Sequence, residues 1–176
     1  MDATDRLLSP DLLDGLSTRP IDEVRALRAE CVEVETGLSY LRRMVQGPLD
    51  IVHREQTRRS AGTEGGDLAT LVDDLPDLLA EHTRNAGVGR LPQTLEPTAV
   101  DPVLETELDG LVGGGRVATV ADMTDADLEE LATGLTAFER KVSEQRHAYF
   151  ERIDALQAEL TRRYRTGEAS VESLLD

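Results

Sequence analysis

The 176-residue chain has no tryptophan, two phenylalanines and three tyrosines, so aromatic residues make up only 3% of it. A large globular core is not expected from so few. A high charged fraction with Leu as the main apolar residue suits long amphipathic helices instead. The single cysteine, Cys31, excludes an internal disulfide and a cysteine-rich zinc site. No apolar run approaches the ~18 residues of a membrane span, and nothing resembles a signal peptide. A soluble, cytoplasmic protein with no membrane partner is expected. Cations are scarce too: 19 Lys+Arg stand against 35 Asp+Glu, a net charge of −16. That balance argues against direct nucleic-acid binding, which needs a net cationic face. Catalytic patterns are missing as well. His53, His82 and His147 form no HExxH or triad-like grouping, and Gly113-Gly114-Gly115 is not followed by the Lys-Ser/Thr of a phosphate loop. The chain is therefore not expected to be an enzyme.

The charge that is present is unevenly placed. Residues 21–60 carry seven Arg and seven acids, and residues 128–165 six Arg, one Lys and seven acids, so both are neutral, whereas 61–127 is −11. The neutral segments are also the strongest helix candidates. Val24, Leu27, Cys31, Val34, Leu38, Leu41, Val45 and Val52 follow an a/d heptad seam, broken at Pro48, where a kink is expected. Pro20 suits the first turn and Gly62 the end. The second segment starts near Thr124-Asp125-Ala126-Asp127, a variant of the capping box. Leu128, Leu131, Leu135, Phe138, Val142, Tyr149 and Leu156 carry its seam. Gln145 and Arg152 interrupt it, and Phe150, Ile153, Leu160 and Tyr164 suggest a shift.

Two long helices of similar length most simply form an antiparallel pair. The predicted fold is all-α: an antiparallel two-helix coiled-coil hairpin with shorter helices and a flexible acidic connector. Its parts are a flexible N-terminal arm 1–17, a long helix within 18–61, an acidic connector 62–121, a second long helix within 122–165 and a flexible tail 166–176. The connector should hold a helix over Asp67–Thr83, a loop over 86–102 and a short helix over Val103–Val112. Leu7, Leu8, Leu12, Leu13 and Leu16 of the arm form a small docking stripe.

The informative feature is a polar repeat. Glu35, Ser39, Arg42, Gln46 and Asp50 are matched 104 residues later by Glu139, Ser143, Arg146, Phe150 and Asp154. Four of the five types agree. With each type near roughly 5% of residues, chance gives this at a given start with odds on the order of 10⁻⁵. On an α-helix each set covers an arc about 80° wide and about 22 Å long, beside the apolar seam. Single Glu–Ser or Asp–Arg neighbours on one helix are usually ordinary surface pairs; duplication of the whole set is not explained that way. The chemistry points to a guanine-containing anion. Arg fits the O6/N7 edge of guanine and stacks on base planes. A carboxylate suits the N1–H and N2–H₂ donors, and Ser can bond a phosphate oxygen.

The complete first set, E-x₃-S-x₂-R-x₃-Q-x₃-D, resembles the signature of the RsiG family of cyclic di-GMP-dependent anti-sigma factors. The resemblance implies one motif on each long helix and two bound cyclic di-GMP molecules. It also implies a partner, WhiG, a flagellar-type sigma factor controlling sporulation, that is held away from RNA polymerase. By the same resemblance, Arg42 and Asp50 read guanine in one half-site, with Glu35, Ser39 and Gln46 contacting ligand or orienting Arg42. Arg146 and Asp154, supported by Glu139 and Ser143, do so in the other. Phe150 departs from the pattern, taking the place of Gln, so that half-site loses a polar contact and Phe150 is left either to stack on a base or to join the core; Pro48 lies inside the first motif, where a kink would displace Asp50 from the line of the other four. Competing readings are a plain coiled-coil scaffold and a sigma-binding hairpin without ligand. The acidic middle suits either a solvated connector or a face for basic surfaces of the sigma factor.

Overall fold

A computed structural model of the chain describes residues 6–61 and 100–168. The helix expected over Asp67–Thr83, most of the 86–102 loop, Gly62 and nearly all of the tail lie outside the described residues.

Among the described residues every regular element is helical and none is a strand. Helix α1 runs from Ile21 to Ser60, α2 from Pro102 to Val112 and α3 from Asp125 to Thr166. At about 1.5 Å per residue α1 and α3 are each about 60 Å long. Their ends follow local chemistry. Pro20 sits just outside α1 as its N-cap, one position earlier than a first-turn proline. The Asp101 carboxylate accepts from the amides of Val103 and Leu104 to start α2, and the Thr124 hydroxyl accepts from the Asp127 amide to start α3. Gly167, in the left-handed region at φ 75°, ends α3.

Pro48 does not divide α1, which is one helix through that residue. An interior proline costs about 3 kcal/mol through its missing N–H and ring clash. Val45 and Val52 are fully buried on either side of it. Each buried aliphatic side chain contributes about 1.5–3 kcal/mol, so the flanking seam is large enough to hold the helix together.

The partners of α1 and α3 run in opposite sequence order. Arg25 meets Tyr164, Arg42 meets Glu139, Gln56 meets Glu129 and Arg59 meets Asp125. The two helices are therefore antiparallel and packed along their length. Between them lies the core. All the predicted seam positions of α1 are buried except Val34, which is half-buried, and Leu128, Leu131, Leu135, Phe138, Val142, Tyr149 and Leu156 are buried on α3. Cys31 is one of these packing residues, and burial pushes its thiol pKa up, away from reactive thiolate. The expected shift of the α3 seam is only partial. Leu160 is buried, Ile153 and Tyr164 are half-buried, and Phe150 is exposed. The two polar residues that interrupt the seam are half-buried, and Arg152 is not idle there: its Nε and Nη2 donate to the carbonyls of Leu7 and Leu8 at 2.8 and 2.7 Å.

Those contacts hold the N-terminal segment. It makes two short 3₁₀ turns, Pro10–Leu13 and Leu16–Thr18, separated by Gly15 at φ 64°. The leucine stripe docks within the chain itself: Leu7 and Leu12 are buried, and Leu8, Leu13 and Leu16 pack against the core. The described part of the predicted mobile arm is thus seated on the long helices. A third 3₁₀ segment, Arg116–Asp122, joins α2 to α3 after Gly114 and Gly115, both at positive φ. Gly134 lets α2 approach closely, because a Cβ there would stand 2.9 Å from Leu111 Cδ2.

Two ionic clusters pin the far ends of the long helices. Glu55 accepts from Arg58 and Arg59, and Arg59 also donates to Asp125 and to the carbonyls of Val120 and Ala121 just before α3. Glu159 accepts from Arg162 and Arg163, and Arg163, itself buried, donates to the carbonyls of Leu16 and Arg19 just before α1. Each cluster ties the last turns of one long helix to the entry of the other. The Arg58 and Arg59 guanidiniums lower the Glu55 pKa from 4.5 to about 2, and Arg162 and Arg163 do the same to Glu159. A carboxylate with a depressed folded-state pKa stabilises the fold above its unfolded value and loses that contribution as pH falls. Thermal stability should therefore drop between pH 4.5 and about 2 as both clusters protonate. An E55Q/E159Q chain, followed by circular dichroism across that range, should show a shallower drop and a lower melting temperature at pH 7.

Candidate functional site

The antiparallel register brings the polar stripes of α1 and α3 together at mid-length. Within α1 the Ser39 hydroxyl donates to Glu35 Oε1 at 2.6 Å, and within α3 the Ser143 hydroxyl donates to Glu139 Oε1 at 2.9 Å. Serine and glutamate one turn apart make this bond on any helix face. The arginines then cross between helices. Arg42 Nε donates to Glu139 Oε1 at 2.9 Å and to Ser143 Oγ at 3.0 Å. Arg146 Nη1 lies 3.7 Å from Glu35 Oε1. Arg42–Glu139 and Arg146–Glu35 are the same pair with the helices exchanged. The site thus has an approximate two-fold axis that passes between the two helices, perpendicular to the plane of the pair, the relation that two identical subunits would have.

Six of the ten predicted site residues meet in this way: Glu35, Ser39, Arg42, Glu139, Ser143 and Arg146. All are half-buried. The other four are not drawn into the network. Gln46 is half-buried, and Asp50 and Asp154 are exposed and make no side-chain hydrogen bond or ion pair with a described residue. Asp50 follows Pro48 on the unbroken α1, one turn beyond Gln46 on the same stripe. Asp154 lines an open groove with Gln157, Thr161, Arg162 and Arg165. Phe150 is 38% exposed, and the Arg146 guanidinium carbon stands 5.0 Å from its ring centroid.

The halves differ in how they hold their arginine. Arg42 is anchored through Nε by the Glu139–Ser143 couple, so its two terminal nitrogens are held at a set distance from α3. Such an edge can engage two acceptors side by side. The equivalent Nε of Arg146 is buried with no hydrogen-bond partner among the described residues. Among these residues no group of His, Cys, Asp and Glu could hold a metal ion, and no helix is long and apolar enough to cross a membrane.

Residues 10–79 match the model of the RsiG-like family. That stretch, less than half of the chain, is similar to the RsiG-like family. The RsiG-like segment contains the first 3₁₀ turns, all of α1 and the whole of the first motif, and it ends before α2. The second motif lies outside it. No curated protein matches the chain.

One set of site-supporting residues was missed by reading the motifs alone. The 104-residue register continues past Asp50 and Asp154: Glu55, Thr57, Arg58 and Arg59 are matched by Glu159, Thr161, Arg162 and Arg163. These supply the two end clusters, and Leu16 and Val120, whose carbonyls the clusters hold, are themselves 104 residues apart. Extending the same alignment by nine residues would have found them.

The crossed pairs make a measurable coupling. Half-exposed ion pairs are worth about 0.2–1 kcal/mol. In a double-mutant cycle of R42A and E139A read by urea unfolding, a coupling of about 0.5–1 kcal/mol is expected. The R146A and E35A cycle, at 3.7 Å and without the Nε bond, should give a smaller value.

Proposed function

We propose that the chain is an anti-sigma factor that binds cyclic di-GMP through the two E-x₃-S-x₂-R-x₃-Q/F-x₃-D motifs and withholds a flagellar- or sporulation-type sigma factor, of the WhiG kind, from RNA polymerase. In this reading α1 and α3 form a coiled-coil hairpin, and two ligand molecules bind across its polar face. The observation that carries the reading is the exchange of partners at the dyad. Arg42 of one motif bonds Glu139 and Ser143 of the other, and Arg146 approaches Glu35. Matched polar residues on a solvated helix surface have no reason to be paired across two helices in this reciprocal way.

The chemistry follows from which atoms are engaged. Glu139 and Ser143 take the Nε of Arg42, leaving its terminal nitrogens to donate to guanine O6 and N7. The exposed carboxylate of Asp50 suits the N1–H and N2–H₂ donors of the same base. Phosphate charge adds to the attraction of the two arginines. A ligand bound by residues of both helices holds them in one register. If the sigma factor completes the site, the ligand stabilises the complex by its differential affinity for bound over free partners.

Calorimetric titration of the chain with cyclic di-GMP, alone and with the sigma factor, tests this, with GTP as control. Selective binding of two ligands per chain is expected. R42A, D50A, R146A and D154A should each weaken it about tenfold or more with helicity unchanged, since a good bidentate contact to a base is worth about 1–3 kcal/mol. Normal binding by all four variants would remove the site assignment. No binding with the sigma factor present would favour a ligand-independent sigma-binding hairpin.

A further inference from the structure

The approximate dyad makes one departure from symmetry visible. Arg42 and Arg146 are equivalent, and the acceptors that Arg146 would use, Glu35 and Ser39, are in place and bonded to each other at 2.6 Å. Yet Arg146 does not reproduce the Arg42 contact. Its Nη1 is 3.7 Å from Glu35, an ion-pair distance too long for a hydrogen bond, and its Nε is buried without a partner among the described residues. The guanidinium lies instead over the ring of Phe150, one turn further along α3. The residue equivalent to Phe150 in the other half is Gln46, which has no ring to offer. The non-matching position of the five-residue motif is thus the one beside the arginine whose contact does not match.

The geometry points to Phe150 as a ligand-stacking residue that makes the two half-sites chemically unequal. The inference rests on the guanine-dinucleotide reading above. The Arg42 half-site presents hydrogen-bonding groups: anchored guanidinium, Gln46 amide and Asp50 carboxylate. It reads the edge of a base. The Arg146 half-site presents a stacked cation and ring, with 38% of Phe150 open to solvent. It offers a face on which a base can lie. Stacking is tolerant of base identity because every base has a π-face, whereas edge reading is not. The first half-site therefore depends on edge contacts alone, and the second adds stacking on Phe150 to the contacts of Arg146 and Asp154.

The test uses the full chain, with the sigma factor present, and cyclic di-GMP as the probe. F150L keeps apolar bulk and removes the π-face; F150Y keeps the face. F150L is expected to weaken binding about tenfold, within the roughly 5- to 150-fold that loss of one base–aromatic stack represents. F150Y should stay within about threefold of the parent chain. In the ligand-free chain, F150L should also move the Arg146 Nε–H NMR resonance downfield as the ring current is lost, with Arg42 unchanged. Parent-like binding by F150L, or a loss in F150Y as large as in F150L, overturns the inference while leaving the ligand reading intact. A parent chain that binds no cyclic di-GMP even with the sigma factor overturns the ligand reading and this inference together.

Discussion

Burial of one apolar seam between α1 and α3, in one register, is the constraint from which the other features follow. With no tryptophan and few other aromatics, the described part of the chain has no second place to hide its leucines and valines. A displacement of one heptad along the seam would still bury aliphatic against aliphatic. The polar contacts distinguish that alternative. Displaced by seven residues, about 10 Å, Arg42 would lose Glu139 and Ser143, and the end clusters would lose their carbonyls. Each ion pair contributes little beside the apolar seam. Their role is to choose among registers that the seam alone leaves close in energy.

The choice of arginine fits this role. Arg59, Arg152 and Arg163 each donate to two backbone carbonyls of a segment that meets a long helix, and two of the three also engage a carboxylate on their own helix or the next. A planar fork of several fixed donors can do this, and the compact ammonium of lysine cannot. Three of these carbonyls, of Leu16, Val120 and Ala121, lie in 3₁₀ turns. The N-terminal segment and the segment before α3 are thereby tied to the same pair of helices, and the entry to each long helix is set by the end of the other.

A site built across such a pair reports on the relation between helices. Groups from α1 and α3 converge at mid-length, where the seam is packed on both sides and neither helix can turn alone. Binding there would act on the whole pair of helices. The halves of the site share their geometry through the 104-residue repeat, and Phe150 is where they part.

Much of this was legible in the sequence because heptad spacing and caps are local. Val24 through Val52 and Leu128 through Leu156 mark the buried faces, Thr124 marks the start of α3, and the repeat marks which polar residues belong together. The sequence placed Pro48 inside one long helix, as found, but not what holds the helix together there, which is the burial of Val45 and Val52 against another helix. It could not say that the N-terminal leucines dock within the chain, since their partners are Arg152 and the core, more than 140 residues away. Nor could it say that each motif's arginine turns to the other motif's glutamate. Sequence alone determined the inventory and periodicity of the residues. Tertiary structure decided their partners, because a pairing between side chains on two helices is set by register, and register is a property of the packed pair.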